Sequence, residues 1–130
     1  MSTMIVKFPG GKRVDAEYNG FTIRTDQSRK AGGEGSAPQP FDLFLASIAT
    51  CAGIYVKSYC DTRGIATETL GLVMHVEHDH ERHRIGKLVL EIRLPQGFPD
   101  KQREAAVRAA ELCSVKKHIF DPPVIEIRTV

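Results

Sequence analysis

Cysteine is scarce in this chain and charge is balanced, and both facts narrow what it can be. Three cysteines, Cys51, Cys60 and Cys113, stand in 130 residues. They are too few and too oddly numbered for a disulfide scaffold, and no two form the CxxC pair of a zinc or thioredoxin-type site. Reduced thiols remain, or one reactive pair with a spectator. Lysine and arginine number 18 against 16 acidic residues, a formal net charge of +2, with both signs interspersed. The one-sided basic stripe that tracks a nucleic-acid backbone is missing, so nucleic acid is not an expected partner. The opening residues MSTMIVKFPGGKR lack the basic segment, apolar run and small-residue cleavage site of a secretory signal, which leads us to expect a cytoplasmic protein. No membrane partner is expected either, because the uncharged run from Leu43 to Val56 has about 14 residues against the ~20 that cross a bilayer. Repeats and low-complexity tracts are absent.

At 42% hydrophobic and 26% charged residues, the composition is that of one globular domain over residues 1–130 with a sizeable core. Its organising stretch is Phe41 to Arg63, FDLFLASIATCAGIYVKSYCDTR, read as a buried central helix with Cys51 near its middle. Gln39 and Pro40 open that helix and Gly64 stops it. Before it, Met4 to Phe8 reads as a strand ended by Pro9-Gly10-Gly11. Val14, Ala16 and Tyr18 form a second strand, and Asn19-Gly20 signals a tight hairpin into a third from Phe21 to Thr25. The polar run DQSRKAGGEGSAPQ reads as a surface loop into the helix, long enough to hint at function.

After Gly64, the segments Thr69 to His80 and Arg84 to Leu94 read as a long hairpin with a solvated tip, HDHERH. Asp100 starts a helix through Leu112 that carries Ala105, Ala106, Ala109, Ala110 and Leu112 near one side. Cys113 precedes a short SVKKHIF segment, and Val124 to Val130 closes the chain as a strand. Strands and helices grouped in runs predict an α+β fold with a largely antiparallel sheet. A helix apolar around most of its circumference needs cover on more than one side, which a homodimer would supply.

Three features carry possible chemistry. Phe44, Ile48, Ile54 and Tyr55 lie on the face of Cys51, so burial should raise its pKa, and the residues alone leave it open between an inert core thiol and a reactive one. Cys60, nine residues on, falls on the opposite side of the helix and reads as a spectator. Cys113, before exposed N–H groups and near Lys116 and Lys117, is expected to be the more acidic thiol. His75, His78, His80 and His83 invite a metal reading, but they crowd a charged hairpin tip without sharing one face, and a solvated tip is the reading preferred. The glycines of GGEG suggest a phosphate cradle, yet Glu34 would repel phosphate and the Gly-Lys-Ser/Thr ending is missing.

The run GGEGSAPQPFDLFLASIATC, followed much later by Cys113-Ser-Val-Lys-Lys-His, resembles the OsmC/Ohr family of osmotically induced and organic-hydroperoxide-resistance proteins, in element order over nearly the whole chain. The resemblance implies an OsmC-like, intertwined α+β homodimer with active sites at the interface. It also implies a cofactor-free thiol peroxidase, in which Cys51 attacks an organic hydroperoxide and becomes a sulfenic acid. Cys113 then resolves it as a disulfide that a dithiol reduces. Three positions depart from the family's peroxidases. Phe41 stands where they place a glutamate, with Asp42 beside it. Gly10 stands where an early arginine is found, leaving Lys12 or Arg13 as neighbours, and Ser114 replaces a proline. Arg13 and Asp42 are therefore the candidate stand-in activators of Cys51. The alternative is a non-catalytic dimer that binds a small apolar or thiol-containing ligand, with structural or redox-sensing cysteines; Phe41 favours it by making the pocket mouth more apolar.

Overall fold

A computed structural model describes all 130 residues, Met1–Val130. The chain forms two compact units, Met1–Ala46 and Ser47–Val130. The first holds β1 (Ile5–Gly10), β2 (Arg13–Tyr18) and β3 (Phe21–Thr25), an antiparallel meander in the order β1-β2-β3. Asn19 and Gly20 both take positive φ, 51° and 81°, which is the geometry that joins twisted strands through two residues and which Asn-Gly adopts at least cost. Tyr18 accordingly pairs with Phe21. The expected stop at Pro9 does not occur. β1 continues to Gly10, and its register with β2 shifts between Lys7 and Gly10. Such an irregularity leaves a backbone position unpaired, where a proline without an N–H is tolerated.

The connection after β3 is more than a surface loop. Asp26, 1% exposed, stands at its root, and the loop folds around that carboxylate. Gln27 N–H donates to Asp26 Oδ1 at 2.7 Å. Ser36 donates to Oδ2 through its hydroxyl at 2.6 Å and its N–H at 3.0 Å, and Glu34 N–H adds a longer bond of 3.3 Å. The glycine run makes this approach possible: a Cβ on Gly33 would lie 2.2 Å from the Gln27 carbonyl oxygen and 2.7 Å from Asp26 Oδ1. The bonds from the Ser36 hydroxyl and N–H, then from Gln27 N–H, hold the Asp26 pKa down at about 2, because each is made to the charged form.

The long helix α1 (Pro40–Thr62) starts with Pro40 in its first turn and ends before Gly64, whose φ of 64° reverses the chain. At 23 residues α1 is long and apolar enough to cross a membrane by length and composition. Here its buried residues form a stripe every fourth position, Ile48, Ala52, Val56 and Cys60, one face of a helix. Burial is therefore confined to one side, and Phe41, Phe44 and Ile54 remain exposed. In the second unit the stripe packs with Phe98, Ala106 and Ala110, and with the inner side chains Leu72, Leu90 and Ile92 of the hairpin. That hairpin pairs β4 (Gly71–Asp79) with β5 (Arg84–Arg93).

Beyond it, a 3₁₀ turn at Asp100–Gln102 leads into α2 (Arg103–Glu111), and α3 (Ser114–Phe120) follows. Tyr59 ties the end of α1 to this region by donating to Gln102 Oε1 at 2.8 Å. Of the expected alanine face on α2, Ala106 and Ala110 are buried, whereas Leu112 is exposed just past the helix end. The α+β class and antiparallel pairing hold. The closing strand does not: residues 124–130 are in no sheet, and Val124, Ile125 and Ile127 are fully exposed. A strand is defined by its partner, and this segment has none within the chain.

Asp26 titrates in the folded protein well below its ordinary 3.8. Its contribution to stability is therefore complete above about pH 4 and lost as pH falls through about 2. Asp26→Asn should be less stable than wild type at neutral pH, with the difference shrinking as pH falls through that window. Denaturant unfolding across pH 2 to 7 reads this directly, and parallel curves for the two proteins would contradict it.

Candidate thiol site

The site belongs to the second unit and is built where α1 meets the start of α3. Cys51, one position off the buried stripe, is half-buried, while Cys60 and Cys113 are fully buried; all three are free thiols. Cys113 is the N-cap residue of α3, with extended backbone (φ −50°, ψ 127°), and its carbonyl accepts from Lys117 N–H at 3.2 Å. This arrangement brings residues 113–115 onto the Cys51 sulfur. The Ser114 hydroxyl lies 3.8 Å from Cys51 Sγ, within range for a hydrogen bond to sulfur. The Cys113 thiol and the N–H groups of Val115 and Ser114 also favour the charged form of that sulfur.

The electrostatics follow from that geometry. Burial by itself raises the Cys51 pKa, but the Cys113 thiol, Val115 N–H, Ser114 hydroxyl and Ser114 N–H together outweigh it, and Cys51 ionises below its ordinary value. Cys113 moves the other way. Burial pushes its pKa up, and the hydrogen bond it makes to Cys51 pushes it further, against weaker help from Lys116 and Val115 N–H. This reverses the sequence expectation that Cys113 is the more acidic thiol. Lys116 and Val115 N–H do favour the Cys113 thiolate, but burial and the bond to Cys51 outweigh them. Cys60 is raised by burial and then by the charge of Asp61, as suits a spectator.

The two expected activators belong to the first unit, and each has a partner within it. Arg13 Nη2 lies 3.6 Å from Asp15 Oδ2. The Asp42 carboxylate accepts from Gln39 N–H at 3.2 Å, a bond that caps the start of α1. Ser114, which sequence reasoning registered only as a departure from a family pattern, is the residue that was missed. Its sole sequence signal was adjacency to Cys113. The histidines do not converge: His78 and His80 stack at 6.2 Å, His75 faces Glu91 at 3.4 Å, and no three ligating side chains gather. Beside the thiol site lies a cavity of about 360 Å³, lined by Ala52 of α1, Leu88, Leu90 and Ile92 of β5 and Val107 of α2, with Lys116 of α3.

The sequence profile of the family described as OsmC-like protein matches residues 33–128, which covers α1 and both thiols of the site. The chain belongs to the OsmC-like protein family. Solved structures agree on the fold. An osmotic stress induced and detoxification response protein from Psychrobacter arcticus superposes with a TM-score of 0.77 at 23% identity, covering 94% of this chain and 90% of that one. One from Legionella pneumophila, described as an organic hydroperoxide resistance protein OsmC and a redox protein, superposes at 0.57 with 26% identity over 90% and 88%. An OsmC-like protein of unknown function from Vibrio cholerae gives 0.62 at 13% identity over 90% and 92%. No curated protein matches.

The site makes a clear ranking of thiol reactivity. With iodoacetamide at pH 7, Cys51 should alkylate at least ten-fold faster than Cys60 or Cys113, as read by peptide mass spectrometry. Faster labelling of Cys113 would overturn the assignment of the acidic thiol.

Proposed function

We propose that this OsmC-like protein is a thiol peroxidase that reduces organic hydroperoxides. The observation that carries the reading is that the start of α3 brings Ser114, the neighbour of the buried free thiol Cys113, to 3.8 Å from the half-buried free thiol Cys51, with the Cys51 pKa lowered and that of Cys113 raised. The Cys51 thiolate attacks the terminal oxygen of ROOH. The O–O bond breaks, Cys51 becomes a sulfenic acid, and RO⁻ leaves and takes a proton to become an alcohol. Cys113 then attacks the sulfenic sulfur, expelling water and closing a Cys51–Cys113 disulfide, and an external dithiol reduces it by exchange. That cycle suits a reducing, cytoplasmic setting. The cavity next to Ala52, aliphatic along β5 and α2 with Arg103, Glu111 and Lys116 also in its wall, supports a hydroperoxide with an organic body over hydrogen peroxide. The same cavity keeps alive the reading of a non-catalytic module for a small apolar ligand, which the assay below separates.

The test is consumption of cumene hydroperoxide with a dithiol recycling the enzyme. Cys51→Ser should abolish turnover, and Cys113→Ser should allow one oxidation and then stall. Turnover no faster than free dithiol would remove the peroxidase reading in favour of ligand binding.

We also propose a homodimer as the working form. Large apolar side chains stand exposed in each unit, including Phe8, Phe21, Phe44, Ile54, Ile125 and Ile127. Apolar Ile125 and Ile127 alternate with Glu126 and Arg128 at the spacing of a strand that lacks a neighbour. Light scattering should give twice the chain mass, and removal of residues 124–130 should weaken the assembly. A single-chain mass at micromolar concentration would refute the dimer.

A further inference from the structure

A thiolate in a half-buried position is usually held by a cation or a nearby base. The side chain placed against the Cys51 sulfur is of another kind, the neutral hydroxyl of Ser114 at 3.8 Å, and the other groups that favour the thiolate, the Cys113 thiol and the Val115 and Ser114 N–H groups, are neutral too. Cys113 has a role of its own as a buried thiol in contact with Cys51, and backbone N–H groups follow from the course of the chain. The hydroxyl is the one donor that a side chain was free to supply or withhold. It comes from a residue 63 positions away in sequence, so the contact arises from tertiary folding and not from local geometry.

We propose that Ser114 is a thiolate-stabilising residue of this site, its hydroxyl donating to Cys51 Sγ across 3.8 Å. Ser114 is held for this purpose by its own helix. His118 Nδ1 lies 2.6 Å from the Ser114 carbonyl oxygen; a carbonyl only accepts, so Nδ1 carries the proton and the imidazole fixes the residue from behind. A hydroxyl also rotates, so it can donate to the charged thiolate and turn away once the sulfur is oxidised or bonded, which a fixed N–H cannot do. Because every donor is neutral, the ionisation of Cys51 should be insensitive to salt, unlike that of a thiolate held by an exposed cation.

The role in turnover rests on the peroxidase reading, but the test does not use peroxide. The rate of Cys51 alkylation by iodoacetamide is followed from pH 5 to 10 by peptide mass, for full-length wild type, Ser114→Ala, Ser114→Thr and Ser114→Pro, at low and high salt. Loss of one hydrogen bond to the charged sulfur in Ser114→Ala should move the midpoint of the pH–rate curve upward and slow alkylation at pH 6 about five-fold. The plateau at high pH should be retained or rise slightly, since a more basic thiolate is the better nucleophile. Threonine should restore the midpoint. Proline, tolerated at a first helical position, removes hydroxyl and N–H together and should shift it beyond alanine. A wild-type midpoint in Ser114→Ala, a uniform loss of rate at every pH, failure of threonine to rescue, or a midpoint that climbs with salt would each overturn the assignment. If the midpoint shifts as expected while hydroperoxide is not consumed, the peroxidase reading fails and the role of Ser114 stands.

Discussion

An anion taken partly out of water must be resolvated by the protein, and this constraint shapes both units of the chain. At Cys51 the cost of removing water is the largest single influence on the sulfur, and it is outweighed by polar groups of three consecutive residues, Cys113 to Val115, with the Ser114 hydroxyl 3.8 Å away. Such convergence requires that α3 begin where it does. Leu112 still has helical backbone, but Cys113 leaves the helical path, so that α3 opens a new first turn whose N–H groups have no partner within the helix. One continuous helix through residues 103–120 would have bonded those N–H groups within itself, and the sulfur would have lost them.

The first unit meets the same constraint with Asp26. Its carboxylate is resolvated by the Gln27, Glu34 and Ser36 N–H groups and the Ser36 hydroxyl, and the glycine run exists so that backbone can come that close. The intuition that GGEG might cradle an anion was therefore sound in its physics and wrong in its object. The anion is a carboxylate of the chain itself, reached from eight to ten residues away, and a repelling Glu34 side chain is no obstacle when only its N–H is used.

Local rules made most of the fold legible. The Asn19-Gly20 turn, the limits of α1 at Pro40 and Gly64, and the β4–β5 pairing each depend on residues adjacent in the chain, and each is found close to its expected place. Two kinds of feature escaped. Residues 124–130 have the alternation of a strand, but pattern declares only that a segment can pair, not that a partner is in reach. The thiol assignment also escaped, because helix-start N–H groups were credited to the residue beside them in sequence. Those N–H groups do act on Cys113, but burial and the neighbouring Cys51, which only tertiary structure supplies, outweigh them. Cys51 is 62 residues away from Cys113, and no spacing rule connects them.

The opposed shifts of the two thiols also order the steps of the cycle proposed for them. Cys113 is kept protonated first by burial and then by the neighbouring Cys51 thiolate, through the hydrogen bond and through its charge. Both influences of Cys51 vanish once that sulfur is a neutral sulfenic acid. Oxidation of Cys51 thus lowers the barrier to ionising Cys113 at the moment when an electrophilic sulfur stands beside it. A resolving thiol that was acidic from the start would instead compete with Cys51 for the same donors and for the peroxide. The geometry that makes Cys113 a poor nucleophile at rest is, on this account, what makes it a prompt one after the first step.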